Sequence, residues 1–136
     1  MSPAERATLT AALECVLPGA AEAGAAGYAE RLAARSDPSA AAERLSVGLA
    51  LLDSLAEGMW GAPFAACSGE QRDGVLEELG RVPHHSAQRC LRMLVQLAIR
   101  GFLCAPEHGG NRGGAGWKFA GFTPHPRTAG VADALR

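Results

Sequence analysis

Cysteine and histidine are the residues of this 136-residue chain best suited to hold a metal or attack a carbonyl, and it has four of each. Cys104 and His108 stand four apart, and folding could bring Cys67 or Cys90 to them as a zinc site. Zinc sites of the structural kind use paired, closely spaced ligand sets, and the sequence has none. A Cys104 nucleophile with His108 as its base would need a third group to orient the imidazole, and nothing in the sequence supplies one. His84-His85 precedes a helical stretch, where the pair caps the helix or is solvated. Glu70, Glu77 and Glu78 read as solvated helix residues. With no secretory leader in view, Cys15, Cys67, Cys90 and Cys104 read first as buried thiols; disulfides and metal ligation are the alternatives.

A second candidate for chemistry is the stretch 107–127, which has six glycines between Gly109 and Gly121. A P-loop ends in Gly-Lys-Ser/Thr, whereas here Lys118 follows Trp117. A dinucleotide-binding loop follows a strand and opens a helix; this stretch follows a helix and runs into Pro124 and Pro126. Nucleotide binding is therefore not expected. So many glycines argue against a helix, yet Trp117, Phe119 and Phe122 are costly to leave in water. The expectation is an ordered loop laid over its own bundle or over another protein. Asn111 and Arg112 in it could hydrogen-bond a partner's main chain or carboxylates; alternatively, Asn111 and Trp117 pin the loop to its own bundle.

The elements that must position this loop are helical. Apolar residues make up 48% of the chain, charged residues 20% and aromatics 5%, with a net charge of −1. A nucleic-acid binder needs a basic face and a membrane-surface helix a Lys/Arg-rich one, and neither is seen. No apolar run reaches the roughly 20 residues of a membrane span, so direct insertion is not expected. A first helix is expected over 3–17, with Leu9, Leu13, Val16 and Leu17 on one face and Pro18-Gly19 as its stop. A second runs from about Ala21 to Arg35, with Gly24 and Gly27 inside it. The third is capped by Ser39 and carries Leu45, Leu49, Leu52, Ala56 and Met59 at helical spacing. The fourth starts after Ser68, whose spacing to Gln71 is that of a capping box. The fifth, from a Ser86 cap to about Leu103, is apolar almost all round, so it belongs at the centre of a bundle or beneath a partner. The fold class is all-α: about five helices over 1–106, with a Gly-rich, aromatic-containing loop and tail over 107–136 as part of the same domain.

The run His108-Gly-Gly-Asn-Arg-Gly-Gly-Ala-Gly-Trp-Lys-Phe-Ala-Gly-Phe resembles the C-terminal signature of the gluconate 2-dehydrogenase small (gamma) subunit family. In that family a Gly-Gly-Asn element follows the last long helix, and a Gly-Trp-x-x-x-Gly-Phe/Tyr-Pro element comes next. Gly116-Trp117 through Gly121-Phe122 fits the second, with Thr123 standing where the proline usually falls and Pro124 one place later. Leu9-Thr10-Ala11-Ala12-Leu13, Leu17-Pro18 and Gly19-Ala20-Ala21-Glu22-Ala23-Gly24 are similar to the family's opening helix, its proline stop and the turn that follows.

The resemblance implies a subunit with no cofactor of its own, and the residues by themselves show no catalytic apparatus and no paired metal-ligand set. Its expected partner is a large flavoprotein of the glucose–methanol–choline type that holds FAD and oxidises a sugar, sugar acid or related alcohol. A multihaem cytochrome completes the membrane-bound complexes. The small subunit is expected to aid the folding, stability or export of the large one, with His108, Asn111, Arg112, Trp117, Phe119 and Phe122 as the expected interface. Many members open with a twin-arginine export signal. This sequence shows none, so a cytoplasmic location is expected, or a periplasmic one if a partner carries the chain out or a signal was removed. The competing readings are a helical enzyme using Cys104 or His108, and a general adaptor or self-associating bundle.

Overall fold

The computed structural model describes residues 1–35 and 38–122, and among them all regular structure is helical. The helices are α1 (Pro3–Val16), α2 (Ala25–Arg35), α3 (Pro38–Trp60), α4 (Gly69–Arg81), α5 (His85–Leu103) and α6 (Ala115–Ala120). Single 3-10 turns occur at Phe64–Ala66, Pro106–His108 and Arg112–Gly114.

Two helix starts are set by the same local chemistry. Glu5 N–H donates to the Ser2 hydroxyl at 3.1 Å, while Ser2 N–H donates to the Glu5 carboxylate at 2.7 Å. That reciprocal box satisfies two of the N–H groups a helix start leaves without a partner. The bond from the Ser2 backbone also holds the Glu5 carboxyl below its usual range. Ser68 and Gln71 repeat the arrangement at α4, as their spacing predicts. At α5 the cap is His84, whose Nδ1 accepts from Ser86 N–H at 3.2 Å, so Ser86 lies in the first turn and is not the cap. Likewise α3 opens at Pro38, one residue before the expected cap Ser39.

The second helix begins four residues later than expected. Gly24 precedes it at φ +78°, and residues 17–25 fold as hydrogen-bonded turns. The Glu14 carboxylate closes that turn, accepting from Gly19 N–H at 3.0 Å and Ala21 N–H at 2.9 Å. A carboxylate supplying two acceptors to loop amides outweighs the helix propensity of the alanines there.

Leu9 and Leu13 of α1, Leu45, Leu49, Leu52 and Ala56 of α3, Phe64 of the turn that follows α3, Val75 and Leu79 of α4, and Leu94 and Ala98 of α5 form the core. Burying each leucine contributes about 1.5–3 kcal/mol. Alanines 12, 20, 25, 26 and 29 are buried too, and their small side chains bring α1 and α2 close to α5. Met59 belongs to the predicted stripe on α3 but is exposed in the last turn beside Trp60. Half-buried Asp53 joins three elements, accepting from Phe64 N–H at 3.0 Å and the Thr8 hydroxyl at 3.2 Å.

Helix α5 packs against each of the other five helices. Its central position agrees with a surface apolar almost all round, but the burial is incomplete. Val95, Ile99 and Leu103, four residues apart along one side, remain exposed. No helix among the described residues is long and apolar enough to cross a membrane.

Candidate functional site

An α-helix ends with carbonyls that have no partner within it, and burying such an end requires donors from elsewhere. Residues 105–122 supply them to α5. Asn111 N–H donates to the Gly101 carbonyl at 2.7 Å, Trp117 Nε1–H to Leu103 at 2.8 Å, and Asn111 Nδ2 to Cys104 at 2.8 Å. The other half of the Asn111 amide faces α6, where its Oδ1 accepts from Gly116 N–H at 2.8 Å and Trp117 N–H at 3.4 Å. One side chain thus links the end of α5 to the start of α6. Asn111 is fully buried and sits at φ +46° in the left-handed region, which asparagine tolerates better than most residues.

The glycines around it permit this closure. Gly116 presses on the α5 backbone so closely that a Cβ there would overlap the Phe102 carbonyl. Gly114 and Gly121 take left-handed φ at the two ends of α6. The segment expected as a loop therefore contains a six-residue helix, because its glycines fall mainly at the boundaries and at the contact, where a side chain would be in the way. Arg112 N–H donates to the Ala23 carbonyl at 2.8 Å, tying the segment to the turn between α1 and α2.

The six residues expected at an interface separate into two kinds. Asn111 and Trp117 are held by their own chain: Asn111 has no exposure, and the indole is only 8% exposed with its N–H bonded. Phe119 and Phe122 point outward, at 80% and 52% exposure. Phe119 meets Phe102 edge-on at 5.7 Å between centroids, and Phe122 meets Trp117 at 5.3 Å. Arg112 is exposed, its guanidinium close to Gly24. Half-buried His108 lines a cleft with Tyr28, Arg31, Arg35 and Cys104, apart from the two outward phenylalanines. Val95, Ile99 and Leu103 of α5 are exposed as well, so α5 and this segment both carry large apolar side chains open to solvent. Patches of that kind on a polar surface mark sites of association.

The groups with nucleophilic or ligating chemistry do not converge. All four cysteines are free thiols. Burial pushes the Cys90 thiol up to about 11 and raises those of Cys15 and Cys104, which lowers their reactivity at neutral pH. Among the described residues no three His, Cys, Asp or Glu side chains come together as a metal site. Sequence reasoning missed Glu14 and Asp53, which look like ordinary acidic residues of amphipathic helices. Only the spacing of Glu14 to the Pro18-Gly19 turn offered a signal.

A family model described as gluconate 2-dehydrogenase subunit 3 matches residues 3–124, and the chain belongs to that family. The match runs through both the α1–α2 turn and the Asn111-centred segment, and through the helices between them. No curated protein and no solved structure matches the chain.

Proposed function

We propose, from membership of the gluconate 2-dehydrogenase subunit 3 family, that this chain is the non-catalytic small subunit of a dehydrogenase complex and stabilises or helps fold a large subunit. That large subunit is an FAD-dependent flavoprotein of the glucose–methanol–choline type; it holds the cofactor and performs the oxidation of a sugar, sugar acid or related alcohol. A cytochrome subunit is a further partner where the complex is membrane-bound. The complex works in the cytoplasm, or in the periplasm if the chain is carried there with its partner. The observation that carries the reading is the family match over 3–124.

The surface supports it. Phe119 and Phe122 are large aromatic side chains open to solvent on a segment anchored by buried hydrogen bonds. Aromatics on a rigid base are the residues that dominate protein–protein affinity, because little conformational entropy is lost when they dock. Within the expected interface, Phe119 and Phe122 are the contact residues, and Asn111 and Trp117 hold them in position.

Affinity purification of the chain from its native host, followed by identification of partners and an absorbance spectrum, tests this. A yellow flavoprotein in about equal amount is the expected result. A colourless chain that returns without a partner, or only as a homo-oligomer, overturns the proposal and favours a self-associating bundle.

A further inference from the structure

Helix α5 carries Arg89, Arg92 and Arg100 and has no Asp or Glu among its 19 residues, although the chain as a whole is slightly acidic. Such a helix would be expected to lie beside acidic neighbours. Among the described residues that line the side facing α3, only one is acidic. Two hollows of about 210 and 310 Å³ lie there end to end, sharing Arg44 and Met93 in their walls. Together they make a groove with an apolar floor that includes half-buried Leu51 and Met93, with Val47 at its exposed edge. Helix α2 adds a wall at one end through Ala29 and Ala33, and the rim holds Arg44, Arg89 and Arg100. Glu43 is the single acid on that rim. None of the three arginines makes an ion pair or side-chain hydrogen bond among the described residues. Beneath them the Cys90 thiol lies 3.5 Å from the Gly48 carbonyl, so α3 and α5 meet and the groove has a closed bottom.

The groove runs from Leu51 and Ser86 at one end to Ala41 and Arg100 at the other. At 1.5 Å per residue that is about 21 Å along α5, the length of roughly four helical turns. A trough of this length with an apolar floor and one sign of charge on its rim matches the apolar face of an amphipathic helix. The rim sets the sign of the occupant. Carboxylates flanking that apolar face would meet unpaired guanidinium groups, whereas basic flanks would be repelled.

We infer that the α3–α5 groove receives an amphipathic helix of the dehydrogenase's large subunit, with its apolar residues on Val47, Leu51 and Met93 and its carboxylates on Arg44, Arg89 and Arg100. This rests on the proposed function for the identity of the partner, and it adds a second contact, on a different flank of α5 from Ile99.

A photo-cross-linking residue placed at Val47, or separately at Ile99, in the chain expressed in its native host tests the inference. The expected result is a link from Val47 to a helix of the co-purifying flavoprotein that has carboxylates beside its apolar face. Co-purification with links from Ile99 and none from Val47 overturns the groove while leaving the proposed function intact. A Val47 link to a second copy of this chain, or to a basic segment, overturns it too. If no flavoprotein co-purifies, the proposed function has failed and takes the groove's occupant with it. A variant carrying Arg44→Glu and Arg100→Glu, both exposed, should keep the melting temperature of the isolated chain. It should release the large subunit at least about tenfold faster, and Arg→Lys at both sites should largely restore retention. Unchanged retention in the glutamate variant overturns the inference.

Discussion

The bundle interior and the segment 105–122 both pack against α5, but they are held by different forces. The interior is leucine, alanine and phenylalanine in mutual contact, and each side chain touches several others, so its stability is shared among many non-directional contacts. The C-terminal segment depends on a few directional bonds around Asn111 and on close backbone approach at Gly116. An apolar interior loses stability in proportion to the volume removed. A hydrogen-bonded hub instead leaves several polar groups unsatisfied at once when its central residue is changed.

That contrast can be challenged by substitution, starting with the largest effect. Phe64→Ala empties a fully buried site and should lower the unfolding free energy by about 3–5 kcal/mol, read from urea denaturation of the isolated chain. Asn111→Gly keeps the left-handed backbone accessible but removes the amide, leaving the Cys104 carbonyl and Gly116 N–H without partners. It should cost about 2–4 kcal/mol, with hydrogen exchange rising first at residues 111–117. Exchange rising uniformly over the chain would show that the segment and the interior are one cooperative unit and erase the distinction. Ser68→Ala removes one cap and should cost about 1 kcal/mol.

Phe119→Ala should leave the melting temperature of the isolated chain within about 1 °C, because the ring is mostly in solvent, while weakening retention of the proposed large subunit. A fall in melting temperature as large as that of Asn111→Gly would place Phe119 with the buried pins. A further effect concerns alkaline pH. Burial raises the folded-state pKa of Cys90 from about 9 to about 11, so the fold favours the neutral thiol. Its contribution to stability is full below pH 9 and is lost as pH rises from there through 11. Cys90→Ala should flatten that part of the pH dependence of the urea midpoint.

What could be read directly from the sequence is what depends on near neighbours. The spacing of Leu45, Leu49, Leu52 and Ala56 identifies the buried side of α3, and Ser68 with Gln71 marks the start of α4, since both are decided within a few residues. The turn at 18–24 was harder, because its stability comes from the Glu14 carboxylate and not from the alanines that suggest a longer helix. In the Gly-rich segment composition misled: six glycines argue against helix, but Gly114 and Gly121 lie at the ends of α6 and Gly116 lies at its contact with α5. Asn111 was legible as a residue of interest, while the direction of its amide depends on α5 lying alongside. Asp53 joins residues 11 and 45 positions away, a relation that no local pattern reveals.

The bond from Arg112 N–H to the Ala23 carbonyl sets an order in time. On the ribosome the turn at 18–24 emerges long before residue 112 exists, and α5 emerges with its last carbonyls uncovered until residues 111–117 follow. A nascent chain halted before Asn111 therefore exposes the α5 terminus and has none of the aromatic surface of α6. Only a chain synthesised through that point presents Phe119 and Phe122.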